Sequence, residues 1–265
     1  VNTNLPRFEP GRFGKAVIVE EGTTNLLNNS LFSSTSYWYL GTNGGGSFIV
    51  SGNWGKITKG TGTYDFVRQS LSRSGDSGDK YTLQFKFKNN VIGQVGIRVG
   101  CIGAGETSRT INLNNAGGYV VVSATHTAST SYTQIFADVT IGTYYGHSHP
   151  AEFVEFSYAQ LEQKAYATSF IDGTRAAETL TIPTAGVLNP QEGTVEFWVK
   201  PLVVAAFNHF FYMTTSNGRF LLFFSTNGRA IFDYGLNNTG PVAPAGTFEA
   251  NKWYYIALRW SATTG

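Results

Sequence analysis

"KYTLQFKFKNN", Lys80 to Asn90, decides the fold. Tyr81, Leu83, Phe85 and Phe87 fall on one side of an extended chain and Thr82, Gln84, Lys86 and Lys88 on the other, because successive strand side chains point to opposite faces. That pattern predicts a half-buried antiparallel strand with one wet face. Outward from it in both directions, the same period of two runs through "QVGIRVGC" (94–101), "GYVVVSAT" (118–125), "YTQIFADV" (132–139) and "EFVEFSYAQLE" (152–162). It continues in "GTVEFWVK" (193–200), "RFLLFFST" (219–226) and "KWYYIALRW" (252–260). Clusters of Gly, Asn, Ser and Thr separate these runs, and no segment carries the period of an amphipathic helix. Many short strands with turn residues between them predict an all-β chain built of β-sandwiches. Asn217-Gly218 and Asn227-Gly228 flank "RFLLFFST". Asn-Gly suits the type I′ hairpin, whose two central residues need positive φ, so residues 207–234 are expected to form a three-stranded meander.

At 265 residues the chain suits two domains of the usual ~100 to 200 residues. With 42% apolar and 15% aromatic residues it has the material for a sizeable core, which excludes a disordered chain. The charged fraction is 14%, the net charge +2, and no Lys/Arg cluster occurs, so nucleic acid is not an expected partner. No 18-residue apolar run or signal-peptide pattern is present, and no membrane insertion is expected. Cys101, alone in "QVGIRVGC", reads as a small core residue rather than a reactive thiol.

Family wording appears at several places. "VEEGTTNLLNNSLF" (19–32), followed by "YWYL" (37–40), resembles the opening of the jelly-roll module found in carbohydrate-binding modules and in phage tail and tail-fibre proteins. "FSYAQLEQKAYATSF" (156–170) resembles the last strand of that module and the link after it in phage proteins. "ETLTIPTAGVLNPQEGTVEFWVKP" (178–201) and "ANKWYYIALRWSATTG" (250–265) resemble a laminin-G/concanavalin-A-like sandwich. Gln160 to Arg175 then reads as a seam. The resemblances imply an N-terminal strand segment at 1–24, a carbohydrate-binding-module-like jelly roll at 25–166 and a laminin-G-like sandwich at 167–265, the last expected to lack its C-terminal strands. "PRFEPGRFGKAVIVEEG" (6–22) also resembles the opening strand of laminin-G-like domains. It reads either as a simple N-terminal edge strand or as a strand pairing on the second sandwich, with the jelly roll inserted into it.

Catalytic patterns are missing from the sequence. The Glu-x-Asp-x-(x)-Glu strand of concanavalin-like hydrolases does not occur, and Glu152 and Glu155 are spaced to opposite faces of one strand. There is no nucleophile elbow, zinc-protease or Walker motif, and "GAGETS" (103–108) is a glycine-rich turn with no helix after it. A non-enzymatic chain is expected. Jelly-roll carbohydrate modules often hold a calcium ion, but Ser33 and Ser157 stand where that resemblance implies carboxylates, so no cofactor is expected. His147 and His149 in "YYGHSHPAEF" (144–153) are two apart, half of a metal site or an exposed polar loop. Carbohydrate contacts are expected from aromatic residues among turn-forming neighbours: Tyr144, Tyr145 and His147 in that loop, with Tyr64, Trp54 and Tyr119 elsewhere. Tyr37 and Tyr39 share that setting, whereas Trp38, Trp198 and Trp253 read as packing residues. The resemblances imply a phage tail receptor-binding protein in the virion tail, with a cell-surface glycan, other virion tail proteins and a homo-oligomeric (trimeric) state as partners. The alternative is a secreted ancillary carbohydrate-binding region of a glycosidase or polysaccharide lyase.

Overall fold

The computed structural model describes residues 7–11, 14–144, 147–181, 189, 191–202, 204, 209–215, 218–224, 229–235 and 238–261, with backbone only at 7–11, 144, 147–149, 213–215, 218, 234–235 and 238–241. The described residues form strands and no helix, so the chain is all-β. They divide into two compact units, Glu20–Glu178 and the combination of Val1–Val19 with Thr179–Gly265. Within the latter, β1 (Arg7–Gly11) and β2 (Gly14–Ile18) pair as an antiparallel hairpin.

The Glu20–Glu178 unit opens with β3 (Thr23–Thr24), β4 (Tyr39–Thr42), β5 (Ser47–Ser51) and β6 (Trp54–Thr58). The long strands β7 (Tyr64–Gly75), β8 (Lys80–Lys88), β9 (Ile92–Cys101), β10 (Glu106–Asn114), β11 (Tyr119–Thr127) and β12 (Tyr132–Tyr144) follow. β13 (His147–His149), β14 (Phe153–Glu162) and β15 (Thr174–Arg175) complete it. Two antiparallel sheets result, ordered β10-β9-β12-β7-β4 and β11-β8-β14-β6-β5, with β13 paired to the end of β12. The chain passes back and forth between them, as in a jelly roll.

Their inner faces share one core. Tyr81, Leu83, Phe85 and Phe87 of β8 are fully buried, as their alternation requires. Phe32 lies 4.8 Å from Trp38 and 5.0 Å from Phe156, and Phe85 meets Phe156 edge-on at 5.7 Å. Val95, Ile97, Val99, Cys101, Ile135, Val139 and Ile141 belong to the same cluster from the other sheet. Each such side chain contributes roughly 1.5–3 kcal/mol, so shared burial holds the two sheets together. Cys101 is 2% exposed, and burial pushes its thiol up to about 11.

The "TTNLL" and "QLEQKAYATSF" runs meet in a polar clamp. Asn25 donates to the carbonyls of Ala159 and Ile171 and accepts from the backbone of Leu27 and Leu161. The buried Glu162 carboxylate accepts from the Thr23 hydroxyl at 2.6 Å and from both the hydroxyl and the N–H of Thr168. β15 pairs with β3. The Gln160–Arg175 stretch is therefore hydrogen-bonded into the first unit, and the division between units falls after Glu178.

In the other unit β16 (Glu192–Val199) pairs with β21 (Tyr254–Ser261). β17 (His209–Thr215), β18 (Gly218–Phe224), β19 (Ala230–Gly235) and β20 (Asn238–Val242) form a four-stranded antiparallel meander, so the expected three strands are present with a fourth beside them. Asn217, Asn227 and Gly228 of the expected turns lie outside the described residues. Leu222, Phe224, Phe232 and Ile256 centre its core. Trp198, expected to pack, is 38% exposed and lies 5.3 Å from Tyr255. Its neighbours Phe197 and Val199 take the inward positions of β16 instead.

Candidate functional site

Sheet register places Ser108, Arg98, Asp138, Arg68 and Tyr39 in one row across β10, β9, β12, β7 and β4. The row lies on the face away from the core, because the residues alternating with it, Ile97, Val99, Val139 and Val67, point inward. Arg98 and Asp138 are nevertheless 1% and 0% exposed. Asp138 Oδ2 accepts from Arg68 Nε and Nη2 at 3.0 and 2.6 Å and from Arg98 Nη2 at 2.6 Å, while Oδ1 accepts from Arg98 Nε at 3.1 Å. Arg98 Nη1 reaches Glu106 Oε1 at 3.0 Å. Burial raises the Asp138 pKa above the ordinary carboxylate range, and the two guanidinium groups oppose that rise. Packed apolar residues are often as stabilising as a buried ion pair, so stability alone does not require this cluster on the outer side of a sheet.

The flanking rows give the face its relief. Thr110, Gly96, Thr140, Phe66 and Gly41 lie on one side, and Glu106, Gly100, Phe136 and Ser70 on the other. A Cβ at Gly41 would stand 2.1 Å from the Phe66 ring and one at Gly100 2.7 Å from the Phe136 ring. The glycines thus let both phenyl rings lie low against the sheet. The Arg68 guanidinium sits 4.2 Å from the Phe136 centroid and 4.9 Å from that of Phe66, a cation–π arrangement that fixes its plane. Tyr64 stacks on Phe66 at 6.1 Å, and the 63% exposed Tyr39 meets it edge-on at 5.9 Å. Thr140 Oγ1 and Ser108 Oγ are buried without a hydrogen-bond partner among the described residues, and such atoms call for an explanation such as a bound water or ligand. Fixed donors and acceptors beside flat apolar rings are the groups that a hydroxyl-rich ring needs.

The outer face of the other sheet is different. Tyr119 pairs with Lys88, Val121 with Lys86, and Glu155 with Lys56. The rings of Trp54 and Tyr119 reach across to stack at 5.5 Å, 19° from parallel. A β-bulge between Ser157 and Ala159 turns Tyr158 onto Phe170, ring to ring at 4.2 Å.

Of the residues expected to touch carbohydrate, Trp54 and Tyr119 come together on this second face and Tyr64 lies on the first. Tyr145 and the side chains of Tyr144, His147 and His149 lie outside the described residues. The backbone at 147–149 is not a loop: it pairs with 142–144 as the return arm of a hairpin. The sequence reading missed Arg68, Arg98 and Asp138. Arg98 and Asp138 were visible as lone charges in "GIRVG" and "FADVT", while Arg68 in "DFVRQS" follows Asp65 and shares its phase with Phe66. Among the described residues no group of three or more His, Cys, Asp or Glu is placed to hold a metal ion. Ser33 bonds to Asn29 Oδ1, and Ser157 lies opposite Lys86. A cleft of about 390 Å³ lies beside the polar clamp, lined in part by Arg73, Lys164 and Arg175. Its Lys164 is paired with Glu21 at 2.6 Å and its Arg175 with Glu20 at 3.1 Å. No helix among the described residues is long and apolar enough to cross a membrane.

Residues 172–265 match the concanavalin A-like lectin/glucanases superfamily. No curated protein matches the chain. Among solved structures, the enzymatically active domain of bacteriophage CBA120 tailspike protein 4 is similar over 52% of this chain at 12% identity and a TM-score of 0.39. The chain spans 21% of that tailspike chain. A CBM4 structure is similar over 52% of this chain and 99% of its own, at 16% identity and a TM-score of 0.38. TmCBM61, solved with β-1,4-galactotriose, is similar over 53% of this chain and 99% of its own, at 11% identity and a TM-score of 0.39.

Proposed function

We propose that the Glu20–Glu178 unit binds a neutral, hydroxyl-rich glycan on the Arg68–Asp138–Arg98 face, and that the chain is a non-enzymatic, receptor-binding part of a phage tail that docks on bacterial surface carbohydrate. The observation that carries the glycan reading is the charged row on the outer side of the sheet, with the Phe66 and Phe136 rings flat beside it and two orphaned hydroxyls next to it. Arg68 and Arg98 balance Asp138 and Glu106, so the face favours hydroxyl groups over a net charge. Asp138 is 0% exposed and held by both guanidinium groups, so it fixes the plane of Arg68 beneath the face instead of serving as a general base. The tail placement rests on the "VEEGTTNLLNNSLF" and "QLEQKAYATSF" wording.

A multimeric display of the chain is expected to coat host cells, while the soluble fragment binds a single oligosaccharide at roughly 0.1 to 1 mM, the difference arising from avidity. Tyr39→Ala and Tyr64→Ala are to be measured for adhesion and for melting temperature. Loss of adhesion with folding retained supports the face, whereas undiminished adhesion of both variants rejects it. Antibody labelling of virions separates the two halves of the proposal: undecorated tails reject the tail placement and leave the glycan reading standing.

A further inference from the structure

We propose a second and separate binding surface for acidic polysaccharide, of the uronic-acid type, on the outer face of the β11-β8-β14-β6-β5 sheet. Three ammonium groups, those of Lys56, Lys86 and Lys88, share this face with the Glu155 carboxylate. Lys88 is paired with Glu155 at 2.8 Å, and Asn90 also donates to that carboxylate. Lys86 and Lys56 make no salt bridge among the described residues, although Lys56 lies in the field of Glu155 opposite it. Instead each lies over an aromatic ring, Lys86 at 4.2 Å from the Tyr119 centroid and Lys56 at 4.4 Å from that of Phe153. Lys88 lies 4.5 Å from the Trp54 centroid.

The stacked Trp54–Tyr119 pair and its lysines therefore form a unit in which ammonium groups cover ring surface. A neutral sugar stacking there must displace an ammonium and returns only hydroxyl hydrogen bonds, without a compensating charge. A sugar carrying a carboxylate draws the ammonium off the ring and pairs with it, so the ring becomes a stacking platform as the charge is neutralised. Lys88 stays with Glu155, so Lys86, two residues away on the same strand face and about 6.6–6.8 Å along β8, is the ammonium of this strand left for an acid group. The exposed Tyr119, Val121 and Ile49 beside them, at 60%, 51% and 55% exposure, add apolar surface. A pyranose ring is needed to use the aromatic pair, which favours a uronate over an acyclic polyol phosphate.

The test is affinity electrophoresis of the full chain through gels containing polygalacturonate, galactan or poly-glutamate, with tryptophan fluorescence as a second readout. Polygalacturonate is expected to retard the chain in a salt-sensitive way and to alter emission, the latter absent in Trp54→Phe. Lys86→Gln and Lys56→Gln are each expected to weaken retardation roughly 2- to 5-fold, and Tyr119→Ala to remove most of it, whereas Tyr39→Ala leaves it unchanged. Galactan retardation equal to that by polygalacturonate that persists in Tyr39→Ala and is lost in Tyr119→Ala, or retardation by poly-glutamate that survives Tyr119→Ala, overturns the proposal. Because Tyr39 lies on the opposite sheet, its variant separates failure of this surface from failure of the neutral-glycan face.

Discussion

Asn25 Oδ1 accepts a hydrogen bond from the backbone N–H of Leu161 at 3.0 Å. The same amide donates to Ala159 O at 2.9 Å and Ile171 O at 3.1 Å, and its oxygen also accepts from Leu27 N. One buried side chain thus fastens the opening of the jelly roll to its last strand and to the link that follows. Asn25→Ala leaves several buried backbone groups unpaired, each costing ~1–3 kcal/mol. A loss of roughly 2–4 kcal/mol is expected, or about 4–16 °C in melting temperature for a domain of this size. Asn25→Asp keeps the acceptor but turns a carboxylate oxygen toward the Ala159 and Ile171 carbonyls, so at pH 7 it should melt no higher than Asn25→Ala and gain on it as the pH falls and the carboxyl takes up a proton.

Asp138 separates the guanidinium groups of Arg68 and Arg98. Asp138→Leu leaves the fully buried Arg98 facing Arg68 across an apolar side chain, and breaking such a pair costs about 3–5 kcal/mol. The double variant Arg98→Met with Asp138→Leu removes the more deeply buried of the two guanidinium groups, leaving the partly exposed Arg68, and is expected to recover a measurable part of that loss. A double-mutant cycle by urea denaturation checks the sign; additive losses reject a coupled cluster.

His126 is 5% exposed, with its ring nitrogens near Ala104 O and Thr107 Oγ1. Desolvation lowers its pKa below the ordinary value, against the smaller opposing effects of the Ala104 carbonyl and the Glu106 charge. A histidine with a depressed folded pKa stays neutral in the native state while the unfolded chain takes up a proton. Its contribution is therefore present above the unfolded pKa of about 6.5 and is lost as pH falls through the folded one. Wild type is expected to lose more stability between pH 7 and pH 5 than His126→Gln, as read from chemical denaturation at each pH.

Cys101 is buried and its thiol pKa is raised to about 11. The thiolate is the reactive form, so a chromogenic disulfide reagent at pH 8 is expected to leave the native protein untouched and to react in full after guanidinium unfolding. Rapid labelling of the native chain contradicts the packing described for β9.

Ser33 and Ser157 occupy the places where the carbohydrate-module resemblance implies calcium-binding carboxylates. EDTA is expected to leave the melting temperature unchanged. A fall of several degrees, reversed by calcium, reveals a bound ion, because a ligand of the native state alone raises stability by mass action.

Much of the fold was legible in the chain. The alternation in "KYTLQFKFKNN" assigns Tyr81, Leu83, Phe85 and Phe87 to the core because strand geometry admits only two faces, and all four are fully buried. Cys101 was readable as core for the same reason, and Trp38 from its place after the first strand in the module it resembles; both are buried. Trp198 shows the limit, since alternation says which residues share a face without always saying which face is covered. The candidate sites depended on information that no local pattern holds. Arg98, Asp138 and Arg68 each look like an ordinary outward charge in their own strands. They become a cluster only when β9, β12 and β7 pair in one register. Trp54 and Tyr119 likewise were plausible singly, but their stack spans strands that are not neighbours in the sheet. Side-chain period is a property of sequence, whereas strand order and register come from the packing of whole sheets, and those two decide which polar and aromatic groups meet.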